Sequence, residues 1–102
     1  MILTTTNSIE DFRIIEYKGI VSGVAVNSQK MKMTFNMQKY YKSIGDSISE
    51  VKDAAFLQLK DNAKQLNANA VVGIKVDIEL TTSNYVAVSV TGTAVSITKK
   101  RE

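Results

Sequence analysis

Asn67-Ala68-Asn69-Ala70-Val71-Val72-Gly73 is the stretch on which the fold turns. Upstream, Ile48, Val51, Ala55, Leu59, Ala63 and Leu66 recur at three- and four-residue intervals, one apolar stripe along a helix. Downstream, Ile74, Val76, Ile78 and Leu80 alternate with Lys75, Asp77 and Glu79, the period of a half-buried strand with one wet face. Inside the stretch, Asn67 suits the left-handed residue that ends a helix, and Asn69 bridges helix and strand. Ala70-Val71-Val72 has no polar alternation and predicts burial on both sides. Gly73 predicts a close backbone approach, to Gly92 or to a neighbouring subunit. Asn67, Asn69, Gly73 and Gly92 therefore read as a structural joint rather than an active loop.

Working back from the joint, Ser47-Ile48-Ser49-Glu50 is a capping box that predicts a helix start, with the helix running to about Leu66. Glu50 and Asp53 near its start and Lys60 and Lys64 near its end suit the helix dipole. Leu57 falls on the polar side, as an exposed leucine or a subunit contact. Residues 27–45 carry two periods. Met31, Met33, Phe35 and Met37 alternate as in a strand, whereas Met33, Met37, Tyr40 and Ile44 sit at helical spacing. Ser28 as a cap, Gly45 as a stop and the Met, Gln and Lys content favour a shorter first helix over 28–44.

Towards the amino end, Ile2–Thr5 predicts an edge strand, Asn7-Ser8 a turn, and Phe12–Tyr17 a second strand that Gly19 interrupts. Ile20–Val26 is a β-branched run whose Gly23 predicts a bulge or a close approach. Beyond the joint, Thr81–Asn84 predicts a turn and Tyr85–Ile97 the return strand of a hairpin. Its apolar parity slips from Val86, Val88 and Val90 to Val95 and Ile97. Either a bulge near Gly92 restores the face, or the strand end is buried against something else. If the Ile20–Val26 and Ile74–Leu80 strands are parallel neighbours, their helical crossover is right-handed. The fold class is α+β, an antiparallel-rich sheet with one long helix across it, as one domain over residues 1–102. A single helix leaves one sheet face and the strand edges open, which ring assembly would cover.

Composition narrows function by exclusion. Among 102 residues there is no Cys and no His. A disulfide, a thiol nucleophile, a Ser-His-Asp triad and thiolate or imidazole metal ligands are all ruled out. There is no basic leader and no apolar run of membrane-spanning length, so the cytoplasm is the expected location. The net charge of +3 is unevenly placed: no acid lies between Glu16 and Asp46, while Lys99, Lys100 and Arg101 close the chain as a solvated, frayed end.

Met1-Ile2-Leu3-Thr4-Thr5-Thr6 with Ile9-Glu10, then Ile15-Glu16-Tyr17 with Gly19–Gly23, then Asn67–Gly73 and Ser89–Val95, stand in the order of the YbjQ-like family of small bacterial proteins. The chain resembles that family, which carries a heavy-metal-binding label. The resemblance implies a YbjQ-like, dodecin-like α+β subunit, a helical segment near residues 28–44, and a ring-shaped homo-oligomer of five copies. It departs at Gly23-Val24-Ala25, where an acidic side chain is lost, at the short Gly45-Asp46-Ser47 loop, and at Leu66-Asn67-Ala68-Asn69-Ala70, where Asn67 replaces a glycine.

The leading functional reading is a homo-oligomeric binding or scaffold protein whose partner is itself and whose small ligand is unidentified, with no cofactor. A first alternative is a hard-cation site at Asp77 and Glu79, two carboxylates on one strand face. A second is weak nucleic-acid binding by Lys30, Lys32, Lys39 and Lys42 interleaved with Tyr40 and Tyr41, without any recognised nucleic-acid motif. The same lysines on an amphipathic helix would suit a membrane surface. Catalysis is not expected: Glu16 and Tyr17 are adjacent on a strand and point to opposite faces.

Overall fold

The computed structural model describes the backbone of residues 1–28, 37–80 and 85–101, and the side chains of residues 1–26, 48–80 and 85–101. In chain order the elements are β1 (Ile2–Leu3), β2 (Phe12–Ser28), α1 (Met37–Gln65), β3 (Ala70–Leu80) and β4 (Tyr85–Lys99). They form one four-stranded sheet in the order β1-β3-β4-β2, with α1 packed on β2 and β4. β4 is antiparallel to both of its neighbours, and β1 runs parallel to β3. The α+β class and the antiparallel-rich sheet are as the residue pattern predicts. The two strands joined by the helix are not neighbours, however: β4 lies between them.

Asn67 has φ of 61° and its N–H donates to the Lys64 carbonyl at 2.9 Å, while the Ala68 N–H reaches the Ala63 carbonyl at 3.1 Å. That pair of bonds is a Schellman motif, and buried Ala68 and Ala63 belong to the same apolar cluster beneath it. Asn69 then acts as a side-chain extension of the sheet. Its amide Nδ2 donates to the Ile97 carbonyl at 2.9 Å, and the Ile97 N–H donates to its Oδ1 at 2.7 Å. Ala70, Val71 and Val72 are buried, and they divide between the two sheet faces.

Several expectations need correction. α1 runs unbroken through Gly45, Asp46 and Ser47, so the long helix and its shorter predecessor are one element from Met37 onward. A capping box acts only where the backbone before it leaves the helical region, and one interior glycine costs about 1 kcal/mol, too little to stop a helix held by an apolar seam. Ser28 is the last residue of β2 and caps nothing; the rest of that expected first helix, residues 29–36, lies outside the described residues, as does the Thr81–Asn84 turn. Gly19 does not interrupt β2. The strand absorbs it through register shifts between Ile14 and Glu16 and between Tyr17 and Gly19. The end of β4 is not frayed either: Lys99 is in the strand and the Lys100 N–H donates to the Asp11 carbonyl at 2.8 Å.

The parity slip in β4 has the second of its two expected explanations. Val86, Val88, Val90 and Ala94 face α1 with Val51, Ala55, Leu59 and Ala63, whereas Val95 and Ile97 join Ala70 and Val72 in a separate cluster on the opposite face, covered by Ile9, Phe12 and Ile14. The bulge sits on β3, between Val72 and Lys75, across from Gly92. Gly73 occupies it with φ of +62° and donates its N–H to the Thr6 carbonyl at 2.8 Å. Gly23 is not bulged; a Cβ there would run into the Ala55 carbonyl oxygen of α1, so it marks where strand and helix backbones meet.

Candidate functional site

The helix covers only part of one face. Across the sheet on the helix side, β2, β4 and β3 align as Gly23–Val90–Val76 and Ala25–Val88–Ile78. The β4 members are fully buried, but Val76, Ile78 and Leu80 are 38%, 46% and 63% exposed, because α1 lies over β2 and β4 and barely reaches β3. The alternation of β3 was expected to mark a half-buried strand; its apolar half is left largely open beyond Ile74.

The opposite face carries three rows: Ser22–Thr91–Lys75, Val24–Ser89–Asp77 and Val26–Ala87–Glu79. Each steps from β2 through a small residue on β4 to a charged residue on β3. Strands about 4.8 Å apart place the β2 and β3 members of a row about 10 Å from each other. The small residues between them form the floor of a groove of about 540 Å³ lined by Val24, Asp77, Glu79, Ala87 and Ser89 among others. Its β2 wall is Val24, 56% exposed, and Ile20 at 79% and Val26 at 60% are bare on the same face of β2 outside the groove. Its β3 wall is the Asp77 and Glu79 pair that the sequence singles out, and neither is in an ion pair among the described residues.

The two sheet edges differ. Along β2, the Val24 N–H donates to Gln58 Oε1 and the Asn62 amide donates to the Ser22 carbonyl at 2.8 Å, so helix side chains occupy outward backbone groups of that edge. Along β3, β1 pairs only at Ala70 and Val71, and beyond them the Gly73 and Ile74 N–H groups donate to the Thr6 and Thr4 carbonyls. From Lys75 to Leu80 no strand lies on the side away from β4 among the described residues. Periodicity could not reveal this asymmetry, since Gln58 and Asn62 look like ordinary polar-face helix residues.

Of the other residues singled out by sequence, Lys39, Tyr40, Tyr41 and Lys42 belong to α1, with side chains outside the described residues, and Lys30 and Lys32 lie outside them altogether. Leu57 is 60% exposed. No helix is long and apolar enough to cross a membrane among the described residues.

A heavy-metal centre finds little support in these side chains. The chain has no Cys or His, and among the described residues no three carboxylates converge. Asp77 and Glu79 supply oxygen ligands, which suit hard cations, and a calcium ion takes about six to eight of them.

Comparison with known proteins places the chain. The YbjQ family model, described as "Putative heavy-metal-binding", matches residues 1–98. A UPF0145 protein of Acetivibrio thermocellus is 35% identical over 105 residues, covering 95% of this chain and 99% of the relative. One from Bacillus cereus is 36% identical over 108 residues, covering 95% and 100%. A crystal structure from Pediococcus pentosaceus, a protein of unknown function in the DUF74 family, superposes with a TM-score of 0.72 at 20% identity over 96% of this chain and 98% of that one, and so shares the fold. Neither the family description nor the relatives' names indicate an enzyme. With its four-stranded sheet, single long helix and near full-length matches, the chain belongs to the YbjQ family of UPF0145 proteins.

Proposed function

We propose that this chain is the single-domain subunit of a cytoplasmic homo-oligomeric binding or scaffold protein, closed into a ring by its bare sheet surfaces. The observation that carries the reading is exposed apolar surface at both sides of the sheet: Ile20, Val24 and Val26 on the helix-free face of β2, and Val76, Ile78 and Leu80 on the helix-side face along the open β3 edge. Apolar rows of this kind on a small chain mark interaction sites. Pairing two copies of the Lys75–Leu80 edge about a two-fold axis at Asp77 would set Asp77 against Asp77, which like charges oppose, although a register centred on Val76 would set Lys75 against Asp77. A head-to-tail contact avoids that clash, and such contacts close into rings. Five copies is the number the family resemblance supports.

Light scattering on the eluting protein tests this directly. The expected mass is about five times the 11.2 kDa chain mass, falling towards one chain in Val24→Lys and Ile78→Lys variants. A stable monomer at micromolar concentration would overturn the proposal.

Asp77 and Glu79 favour a second reading, metal-ion binding through carboxylates, because both line one groove and neither is ion-paired among the described residues. Two carboxylates per chain become a fuller oxygen set where copies meet. Elemental analysis of the purified oligomer settles it: less than about a tenth of an equivalent of any divalent metal per chain, after dialysis against that metal, removes this reading.

A further inference from the structure

The antiparallel register sets the first residues of β2 against the last of β4, with Phe12 opposite Lys99 and Arg13 opposite Thr98. The chain is then tied down once more, by the Lys100 N–H on the Asp11 carbonyl, with Asp11 held at φ of 68°. Between these two strand ends lies a groove of about 540 Å³ lined by Arg13, Thr98, Lys99, Lys100 and Arg101. Four of its five described residues are cationic. The ion pair found among the described residues is Lys18 with Glu16 at 2.9 Å, so none of the four is neutralised by a described carboxylate.

We propose that this groove is a binding site for a small phosphate-bearing anion carrying at least two negative charges. Its size falls within the roughly 300–1,000 Å³ of small-molecule sites. Sheet pairing fixes the backbone of Arg13, Thr98 and Lys99 and sets Arg13 and Thr98 side by side on one face, so that pair is in place before a ligand arrives, and the repulsion among the neighbouring cations is relieved when it does. The Arg13 guanidinium offers a planar fork that matches phosphate oxygens, and the Thr98 hydroxyl adds a neutral donor beside it. Among the described residues no aromatic side chain lines the groove, which gives no stacking platform of the kind single-stranded nucleic acid uses. The recognised group is the phosphate itself. This site is separate from the Asp77 and Glu79 groove and does not depend on the oligomeric reading.

The test is isothermal titration of the full chain, in its native assembly, with inorganic pyrophosphate at about 20 mM salt, where screening is weak. Saturable binding at one anion per chain is expected. Arg13→Gln should weaken it about tenfold or more, the loss of one charge-assisted hydrogen bond. Lys75→Gln removes a cation of β3 outside the groove and should leave it within about twofold, separating a site from general attraction to a basic protein. Should Arg13→Gln disturb folding, amide shifts on pyrophosphate addition to the native protein give the same answer, and they should concentrate at Arg13 and residues 98–101. Absent or unsaturable heat, equal weakening by Lys75→Gln, or shifts spread along the chain would overturn the proposal. So would binding of a short single-stranded oligonucleotide that excess pyrophosphate fails to displace.

Discussion

Replacing Gly23 by alanine puts a methyl group where the helix already is. The new Cβ would overlap the Ala55 carbonyl oxygen and stand 2.9 Å from the Leu59 nitrogen and 3.0 Å from the Ala55 carbonyl carbon. All three are helix backbone and cannot rotate aside, so α1 must withdraw. A gap of about 0.5–1 Å forfeits a quarter to a half of the dispersion attraction across it. The seam that would open holds Val51, Ala55, Leu59 and Ala63, all buried. The withdrawal also stretches the bonds from Gln58 and Asn62 to the strand on either side of Gly23, each contributing about 1 kcal/mol. Alanine restricts the unfolded chain and returns about 0.5–1 kcal/mol. Overpacking usually destabilises by about 1–3 kcal/mol, and the lost seam bonds raise the net expectation here to about 3 kcal/mol.

Urea unfolding followed by far-ultraviolet circular dichroism measures this, at one fixed protein concentration because association shifts apparent stability. With a slope of about 1–3 kcal/mol/M, the midpoint should fall by about 1–3 M. Gly92→Ala is the comparison. Its Cβ would meet the Cγ1 methyl of Val71 at 2.6 Å and the Cγ1 methylene of Ile74 at 2.9 Å, both side-chain atoms, with the Val72 carbonyl oxygen at 3.2 Å. Side chains can give where helix backbone cannot, so about 1–2 kcal/mol is expected. A Gly23→Ala loss below about 1 kcal/mol, or one smaller than that of Gly92→Ala, would refute the claim that rigid backbone contact sets the helix position.

Three further outcomes follow from local chemistry. Asn69→Ala removes both side-chain bonds to the Ile97 backbone and should lower stability by about 1–3 kcal/mol in the same urea assay, with Asn69→Asp, which keeps the acceptor, falling between. At Asn67, with φ of 61°, glycine should match or raise the melting temperature while alanine lowers stability by about 1 kcal/mol. Removing the covers of the β2 edge in a Gln58→Ala, Asn62→Ala double variant should change stability by no more than about 2 kcal/mol yet produce larger assemblies by light scattering, and unchanged assembly size would show that those side chains do not guard the edge.

How much of this was legible in the residues depends on the range of the signal. The helix stop at Asn67, the buried Ala70–Val72 run and the stripe from Val51 to Ala63 follow from local chemistry and periodicity, and the structure has all three. The Ser47 box was misleading because capping is a conditional signal, silent when the helix enters from upstream. The slip at Val95 and Ile97 was visible, but its resolution needed the partners Ile9, Phe12 and Ile14, which lie more than eighty residues away in sequence. The candidate site was legible only in part. Asp77 and Glu79 announce a wet strand face, whereas the small floor of Ala87 and Ser89, the apolar wall of β2 and the gathering of Arg13 with Lys99 and Lys100 depend on register across strands.

The treatment of the two edges gives the sharpest reason to read the chain as part of a larger body. Were exposure of strand edges merely tolerated, both would be alike. Instead, Gln58 and Asn62 occupy backbone groups of β2, while the side of β3 away from β4 has, from Lys75 onward, neither helix side chain nor strand on it among the described residues. The same half of β3 bears the exposed Val76, Ile78 and Leu80 on one face and Asp77 and Glu79 on the other. Its backbone ladder is open to a strand of a neighbour. An edge that is apolar and unguarded, across the sheet from one that is guarded, has the character of one half of a head-to-tail contact. The guarded β2 edge keeps that contact from being made in the wrong place.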